Sequence, residues 1–246
     1  MTKHTKQMTP CAKSSNRHPP ASSKTAETIL FPEVRLESTL YTPEQLQSAV
    51  FDVPQIALAG RSNAGKSSLI NALANRKKLA KISAAPGKTR SLNLYRVLPD
   101  NFILTDLPGY GYASRSKQER MVWAGLIAKY LADNPLLAAV CVLIDCRIPP
   151  QDSDKAMVRF AIDNRVPLIA VLTKADKCTQ RERSAKQREW SAFIPGGLPL
   201  PVSSVTGLGI RTLWDMLRSA ARAIRPSDGI SSQDSASDPA CEAAHA

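Results

Sequence analysis

The sequence predicts an α/β fold in which a largely parallel sheet carries helices on both faces. Three observations lead to this prediction. Short apolar segments alternate with helical ones from residue 54 to residue 223, which is the order that βα units produce. A glycine-rich loop separates the first of these strands from a helix. Polar motifs follow several later strands, and in such sheets ligands bind at the carboxyl ends of the strands.

The predicted elements begin with a short helix, for which Thr42 is the N-cap, Pro43 the first residue and Gln45 the partner in a capping box. Apolar segments and helical spacing then predict the rest of the fold. The predicted strands are residues 54–59, 92–97, 102–105, 138–144, 167–172 and 200–202, the second and third joined as a hairpin. The predicted helices are residues 68–74, 118–131, 152–162, 180–192 and 210–223.

The domain organisation follows from composition. Residues 1–26 and 227–246 contain few large apolar side chains and many Ser, Ala, Asp and Pro residues, so we expect two disordered tails, the first basic and the second acidic. One domain is expected between them, over residues 27–226. The whole chain has a formal net charge of +12, and the excess lies mainly in this domain. A basic domain favours a polyanionic partner, nucleic acid first and an anionic membrane surface second; the alternative is a generic solubilising surface.

Several classes of protein are disfavoured by the composition. The five cysteines have no C-x-x-C spacing, which argues against a disulfide framework or a zinc site. The three histidines all lie in the terminal segments, so the domain offers no imidazole base. No apolar run reaches the ~20 residues that span a bilayer. We therefore expect a cytoplasmic protein without stable membrane insertion, although the basic N-terminus also resembles an organelle transit peptide in composition.

The glycine-rich loop matches the pattern G-x-x-x-x-G-K-[ST] between a strand and a helix, which is the context that a phosphate-binding loop requires. Its backbone N–H groups and the helix N-terminus would surround phosphate oxygens. Lys66 would neutralise the β and γ phosphates, and Ser67 would place its hydroxyl on Mg²⁺. The alternative is a glycine-rich surface turn. The loop consists of Gly60, Arg61, Ser62, Asn63, Ala64, Gly65, Lys66 and Ser67.

Three further motifs follow strands or lie in a loop. Asp106, Leu107, Pro108 and Gly109 form D-x-P-G, in which the carboxylate can hold Mg²⁺ through water and the glycine N–H can reach a γ phosphate. Thr173, Lys174, Ala175 and Asp176 match the guanine-reading pattern [NT]-K-x-D. Val202, Ser203 and Ser204 follow the last strand, where a backbone N–H can meet the guanine O6.

Specificity for guanine would come from Asp176. Guanine presents its N1–H and its N2 amine side by side, so one carboxylate accepts from both, whereas adenine offers no such donor pair. A site built around such a bond rejects the wrong base by ~10⁴ to 10⁵. Thr89, in the loop before the second strand, is a candidate for a second hydroxyl on Mg²⁺. Each motif alone could be an ordinary turn, but their order along the chain is the order that a GTPase domain requires.

Three segments resemble a known family closely. They are Gly60 to Leu69, Pro86 to Arg90 and Asp106 to Ala113, and they look like the EngB (YihA/YsxC) GTP-binding proteins, within the TrmE-Era-EngA-EngB-septin-like GTPases. The resemblance covers roughly residues 30–225. It implies a Ras-like P-loop domain with a six-stranded, mostly parallel sheet, binding of GTP or GDP with Mg²⁺, assembly of the large ribosomal subunit, and a link to cell division and septation.

By the same resemblance, the four motifs and the loop residues Gly87, Lys88, Thr89, Arg90 and Ser91 would contact nucleotide. Ser67 and Thr89 would bind the metal, and Lys66, Thr89 and Asn63 would act in hydrolysis. Asn63 is similar to an asparagine that binds K⁺ in related GTPases. Ser204 stands where related GTPases more often carry alanine.

Hydrolysis is expected to be slow, because Tyr110 follows Gly109 where Ras-type enzymes carry a glutamine that orients water. A monomer that binds ribosomal RNA is expected, with aromatic and basic residues as its RNA surface. These residues are Tyr110, Tyr112, Arg115, Lys117, Arg76, Lys77, Lys78 and Lys81. Two alternatives stay open: a membrane- or divisome-associated GTPase that does not act on the ribosome, and a nucleotide-dependent scaffold without useful hydrolysis.

Overall fold

The computed structural model describes residues 32–49, 52–80, 91–110 and 117–224. Its strands are β1 (Glu33–Leu40), β2 (Gln55–Gly60), β3 (Leu92–Leu98), β4 (Phe102–Asp106), β5 (Leu137–Asp145), β6 (Leu168–Thr173) and β7 (Leu200–Pro201). Its helices are α1 (Pro43–Ser48), α2 (Lys66–Leu73), α3 (Lys117–Asp133), α4 (Asp152–Asp163), α5 (Gln180–Ser191) and α6 (Ile210–Ala223). A 3₁₀ turn, Ala175–Lys177, follows β6.

All of these strands belong to one sheet in the order β1-β3-β4-β2-β5-β6-β7. The pairs β1–β3 and β3–β4 are antiparallel, and β4, β2, β5, β6 and β7 run parallel to one another. The α/β class with a mostly parallel sheet is confirmed, and each predicted strand and helix is present with small shifts at its ends.

The described part of the sheet has seven strands, so the expected number of six was wrong. The additional strand is β1, which forms the edge next to β3. Its sequence EVRLESTL has no apolar run, and Val34 is its one buried residue. An edge strand with exposed side chains on both faces is held chiefly by backbone pairing. Hydrophobic patterning in the sequence therefore does not reveal β1.

Side chains alternate between the two faces of the central strands. In β2, Ile56 and Leu58 lie in one core, which α2 and α6 cover with residues such as Leu69 and Trp214. Ala57 of the same strand lies in the second core, which α3, α4 and α5 cover. Helices therefore pack on both faces of the sheet, as predicted, and the carboxyl ends of the parallel strands lie at one edge.

The first helix has the predicted cap. Gln45 N–H donates to Thr42 Oγ1 at 3.3 Å, and the Gln45 side chain accepts from the Thr42 backbone N–H at 3.3 Å. In the described part of the chain, no helix is both long and apolar enough to cross a membrane. The two predicted tails lie outside the described residues.

The sheet also buries a small polar network between β2, β4 and α3. The hydroxyl of Tyr130 donates to Gln55 Oε1 at 2.6 Å and lies 3.0 Å from Thr105 Oγ1. Tyr130, Gln55 and Thr105 are all buried. This network ties α3 to the first residue of β2 and to Thr105, which directly precedes Asp106 in β4.

Candidate functional site

Four predicted segments meet at the carboxyl edge of the parallel strands. We call them the glycine loop (residues 60–67), the aspartate turn (residues 106–109), the lysine turn (residues 173–176) and the serine loop (residues 202–204). Each follows a strand directly: β2, β4, β6 and β7 respectively. Since these strands are parallel neighbours or next neighbours in the sheet, the fold brings together motifs that are up to 144 positions apart in the sequence.

The glycine loop ends in a left-handed residue that starts α2. Gly65 is the N-cap of the helix and has φ of +101°, a conformation that a side chain would strain. α2 therefore begins at Lys66, and the N–H groups of its first turn lack partners within the helix. These N–H groups and the helix dipole give this end a partial positive charge. This geometry suits a loop that receives an anion at its centre.

Lys66 and Asp106 are neighbouring charged groups, of which Asp106 is buried and Lys66 half-buried. Lys66 Nζ donates to the Gly60 carbonyl at 3.3 Å, and burial lowers the pKa of Lys66 while nearby Asp106 opposes this effect. Asp106 is 3% exposed. Burial raises the pKa of Asp106 from 3.8 to about 6, although Lys66 and Asn93 lower it in part. Among the described residues, Asp106 Oδ1 has no hydrogen-bond partner.

An orphaned buried carboxylate oxygen of this kind fits a hard divalent cation or a water bound to one. Within the described ranges, no three His, Cys, Asp or Glu side chains cluster closely enough to hold a metal by themselves. This also fits Mg²⁺, which is usually bound by one or two protein groups together with substrate phosphates and water. The hydroxyl of Ser67, in the first turn of α2, supplies the matching protein oxygen.

The lysine turn is bonded directly to the glycine loop. Thr173 Oγ1 donates to the Ala64 carbonyl at 2.7 Å. Lys174, with φ of +57°, directs its Nζ to the Asn63 carbonyl at 2.7 Å. These contacts fix the distance between the segment that would read the base and the segment that would hold the phosphates.

Asp145, at the end of β5, is a site residue that sequence reasoning missed. Its Oδ2 accepts from Lys174 Nζ at 2.9 Å and from Arg147 Nη2 at 2.7 Å. Burial alone would raise the pKa of Asp145, but these hydrogen bonds outweigh it and lower the pKa to about 2. The sequence did contain an indication of this role, because Asp145, like Asp106, is an acidic residue at the carboxyl end of a strand.

The serine loop holds the predicted guanine-reading carboxylate. Ser203 Oγ donates to Asp176 Oδ1 at 2.7 Å and accepts from the N–H groups of Val205 and Thr206 at 3.2 and 3.1 Å. The hydrogen bond from Ser203 lowers the pKa of Asp176 below 3.8. Asp176 therefore remains a carboxylate at neutral pH, with Oδ2 directed to other donors such as Lys177 at 3.5 Å. Ser204 is half-buried beside it.

The remaining predicted residues divide into three groups. Ser91 is buried at the start of β3, and Tyr110 contacts the glycine loop. Arg76, Lys77 and Lys78 are exposed after α2. The other predicted loop and surface residues lie outside the described residues or have undescribed side chains: Gly87, Lys88, Thr89, Arg90, Lys81, Tyr112, Arg115 and Lys117.

The chain is similar to known GTP-binding proteins. The family model described as "50S ribosome-binding GTPase" matches residues 55–174. The probable GTP-binding protein EngB of Nitratidesulfovibrio vulgaris (strain DP4) is 54% identical over 203 residues, which cover 82% of this chain and 91% of that protein. Its counterpart in Thermotoga maritima is 48% identical over 166 residues, or 66% of this chain and 84% of that one.

The fold is also shared with a solved structure. The crystal structure of a probable GTP-binding protein engB aligns with a TM-score of 0.57 and 21% identity, covering 69% of this chain and 99% of the other. The matched family model and the curated relatives identify a GTPase domain, a class of enzyme that uses Mg²⁺ with GTP and GDP. The chain belongs to the EngB family of GTP-binding proteins.

Proposed function

We propose that this chain is a GTP-controlled switch that assists assembly of the large ribosomal subunit in the cytoplasm and thereby supports normal cell division and septation. The observation that carries the proposal is the meeting of the four motifs at one edge, with a charged Asp176 at one end and the N-terminus of α2, which has no side-chain cap, at the other. The matching family model, whose description names the 50S ribosome, supports the choice of partner.

The phosphate side of the site binds and neutralises the triphosphate. The N–H groups of the glycine loop donate to the phosphate oxygens, and Lys66 exchanges its contact with the Gly60 carbonyl for the β and γ phosphates. Ser67 and Thr89 would hold Mg²⁺ directly and Asp106 through water, and the ion would supply charge neutralisation for phosphoryl transfer there. Gly109 offers its N–H to the γ phosphate, and Gly87, Lys88, Arg90 and Ser91 complete this side.

The guanine side reads the base. Asp176 accepts from guanine N1–H and N2, while Lys174 lays its aliphatic stem along the ring. The bond from Lys174 to Asp145 holds that stem in place before nucleotide arrives. Val202, Ser203 and Ser204 position a backbone N–H for the guanine O6. Thr173 bonds the lysine turn to the glycine loop, and the Ala175 N–H bonds it to the serine loop through the Val202 carbonyl at 3.1 Å.

Intrinsic hydrolysis is slow in this proposal, because Tyr110 offers no amide side chain to orient water. Asn63, whose side chain lies on the exposed part of the glycine loop, contributes to a K⁺ site that neutralises charge in place of an arginine finger. Turnover measured in matched K⁺ and Na⁺ buffers tests this part. We expect faster turnover in K⁺; equal rates would remove Asn63 from the proposed chemistry.

The ribosome-binding surface includes the exposed basic cluster Arg76, Lys77 and Lys78, which follows α2 directly. Among the described residues, none of the three forms an ion pair with an acid. Their charges are therefore available to phosphates of ribosomal RNA. α2 begins at Lys66, so this cluster and the phosphate cradle lie at opposite ends of one helix.

Binding of the purified monomer to isolated large ribosomal subunits tests the function. Co-sedimentation is measured with GDP and with a non-hydrolysable GTP analogue, over a salt series. We expect tighter binding with the analogue and a steep loss of binding with added salt. The variant Lys77→Gln/Lys78→Gln should weaken binding and flatten the salt dependence. The control Arg181→Gln/Arg188→Gln removes the same charge from exposed positions of α5 and should not.

The same preparation tests the alternative, a GTPase associated with the membrane or the division machinery. Binding to anionic liposomes but not to ribosomal subunits would support that alternative and overturn the ribosomal role. Subunit binding that is equal with both nucleotides would overturn the switch and leave a constitutive ribosome-binding protein.

A further inference from the structure

Tyr110 directly follows the aspartate turn, and its backbone is bonded to the glycine loop. Its N–H donates to the Gly60 carbonyl at 3.4 Å, and its carbonyl accepts from the Ser62 N–H at 3.1 Å. This bridge continues the parallel pairing of β2 and β4 beyond the ends of both strands. The aspartate turn is therefore fastened to the loop that is proposed to hold the phosphates.

The side chain of Tyr110 adds a second attachment, to a different element. Its hydroxyl donates to Asp154 Oδ1 at 3.0 Å. Asp154 is the third residue of α4 and is 2% exposed. An acid at this helix position commonly bonds back to the N-cap backbone, but here it accepts from a residue 44 positions earlier in the chain.

The electrostatics favour this bond. Burial raises the pKa of Asp154, and the hydrogen bond from Tyr110 and the charge of Arg61 oppose that rise. Burial and the neighbouring carboxylate both raise the pKa of Tyr110. The tyrosine hydroxyl thus keeps its proton and donates it, and the N-terminus of α4 favours a charged acceptor. The bond is a buried, charge-assisted one, which is the stronger class of hydrogen bond.

The aspartate turn sits tightly against the loop in this arrangement. A β-carbon on Gly109 would lie 3.0 Å from both the N and the Oγ of Ser62. The gap between Gly109 and Ser62 therefore cannot take an additional heavy atom at the β-carbon position without movement of one of the two residues. A γ phosphate that enters between the loop and the turn has to displace the turn, whereas GDP has no third phosphate and leaves the turn where it is.

We propose that Asp154 is a positioning residue: through the Tyr110 hydroxyl it holds the aspartate turn against the glycine loop and so favours GDP over GTP. The inference rests on the proposed nucleotide roles of the loop and the turn. GTP binding works against the Tyr110–Asp154 bond, and GDP binding does not. A hydrogen bond to a charged group is strong enough to change such a ratio of affinities about tenfold.

The test measures the affinities of the full chain for GDP and for a non-hydrolysable GTP analogue by calorimetry in Mg²⁺ buffer. Tyr110→Phe deletes the hydroxyl and should raise the ratio of analogue affinity to GDP affinity about tenfold, chiefly through tighter binding of the analogue. Asp154→Asn keeps an oxygen that accepts from tyrosine and should give an intermediate ratio. The double variant should match Tyr110→Phe, because both changes act on one bond.

Tyr130→Phe is the matched control. It also deletes a buried tyrosine hydroxyl, which donates to Gln55 at the start of β2 at 2.6 Å and lies 3.0 Å from Thr105 of β4. It should lower thermal stability and leave the nucleotide ratio unchanged. If Tyr110→Phe does not fold, the ratio of nucleotide affinities of Asp154→Asn tests the inference instead.

An unchanged ratio in both variants would overturn the inference. So would an equal loss of affinity for both nucleotides, since that is the result of a structural role alone. A wild-type chain that binds neither nucleotide would instead refute the proposed function, so the two failures are distinguishable.

Discussion

The phosphate side and the guanine side of the site differ in how far the chain itself satisfies their charged groups. On the phosphate side, burial raises the pKa of Asp106 and lowers the pKa of Lys66, so both charged forms are disfavoured. On the guanine side, hydrogen bonds from Ser203 to Asp176, and from Arg147 and Lys174 to Asp145, hold both carboxylates charged. The base-reading half is complete without ligand, whereas the phosphate half needs a ligand and a cation to complete it.

This difference has a physical consequence for binding. A group that is already held in its bound geometry loses little entropy on binding, and this favours affinity and specificity. Unsatisfied buried charges instead lower the stability of the free protein, and a ligand that pairs them raises it. The guanine base should therefore set specificity, and phosphates with Mg²⁺ should produce most of the ligand-induced stabilisation.

The largest expected effect is on the guanine side. Asp176→Asn places an amide donor against one of the two guanine donors, so the affinity for GDP should fall at least about a thousandfold, or about 4 kcal/mol. Titration with fluorescent GDP measures this loss, and thermal unfolding of the nucleotide-free variant should stay close to wild type. A GDP affinity within tenfold of wild type would refute the specificity role of Asp176.

The next largest effect is a gain in stability rather than a loss of affinity, because it concerns the phosphate side, where the charged groups are unsatisfied. Asp106→Asn removes a buried charge with an orphaned oxygen, so the nucleotide-free variant should be more stable than wild type by about 2–3 kcal/mol above pH 6. It should also lose the stabilisation that Mg²⁺ with GDP gives to wild type.

The pH dependence of this gain follows from the pKa of Asp106. The folded pKa is about 6 and the ordinary pKa of an aspartic acid is 3.8, so the folded state binds the proton more tightly and wild-type stability falls as pH rises through this window. The advantage of Asp106→Asn should therefore grow between about pH 4 and pH 6. Urea unfolding at several pH values measures this difference in stability. If Asp106→Asn were less stable than wild type at pH 7, Asp106 would not be an unsatisfied charge on the phosphate side.

Asp145→Asn tests the satisfied half by the same method. The folded pKa of Asp145 is about 2, below the ordinary aspartate pKa of 3.8, so its contribution to stability is present above pH 4 and is lost as pH falls from about 4 to about 2. The variant should be less stable at pH 7 by about 1–2 kcal/mol after allowance for solvent screening. Urea unfolding at pH 7 and pH 3 measures the difference, which should shrink at pH 3. At neutral pH, Asp106→Asn should therefore raise the free energy of unfolding and Asp145→Asn should lower it. Changes in the same direction would contradict the difference between the phosphate side and the guanine side.

The smallest effect concerns the connection between the halves. Thr173→Val keeps the shape of the side chain but removes the hydroxyl that lies 2.7 Å from the Ala64 carbonyl and 3.1 Å from the Ile144 carbonyl. Stability should fall by about 1 kcal/mol. Thr173→Ser, which keeps the hydroxyl, is the control. GDP affinity should fall by a few-fold in the valine variant alone, and an equal fall in both variants would assign the effect to packing.

Prediction from sequence succeeded where local pattern and ligand chemistry agree. The capping box at Thr42 and Gln45, the strand before Gly60 and the helix after Gly65 were all read from a few neighbouring residues, and each is present. β1 was missed because an exposed edge strand carries no apolar period, and its pairing partner β3 begins 52 residues after its last residue.

The sequence by itself determined the βα order, the four motifs and their order along the chain, because glycine, lysine and carboxylate chemistry constrain those positions locally. The tertiary structure alone decided which charges are satisfied. Whether Asp106 is orphaned, Asp145 holds Lys174 or Asp154 receives Tyr110 depends on the packing of segments that are distant in sequence. Burial and hydrogen-bond partners set these energies, and neither is encoded in the spacing of a motif.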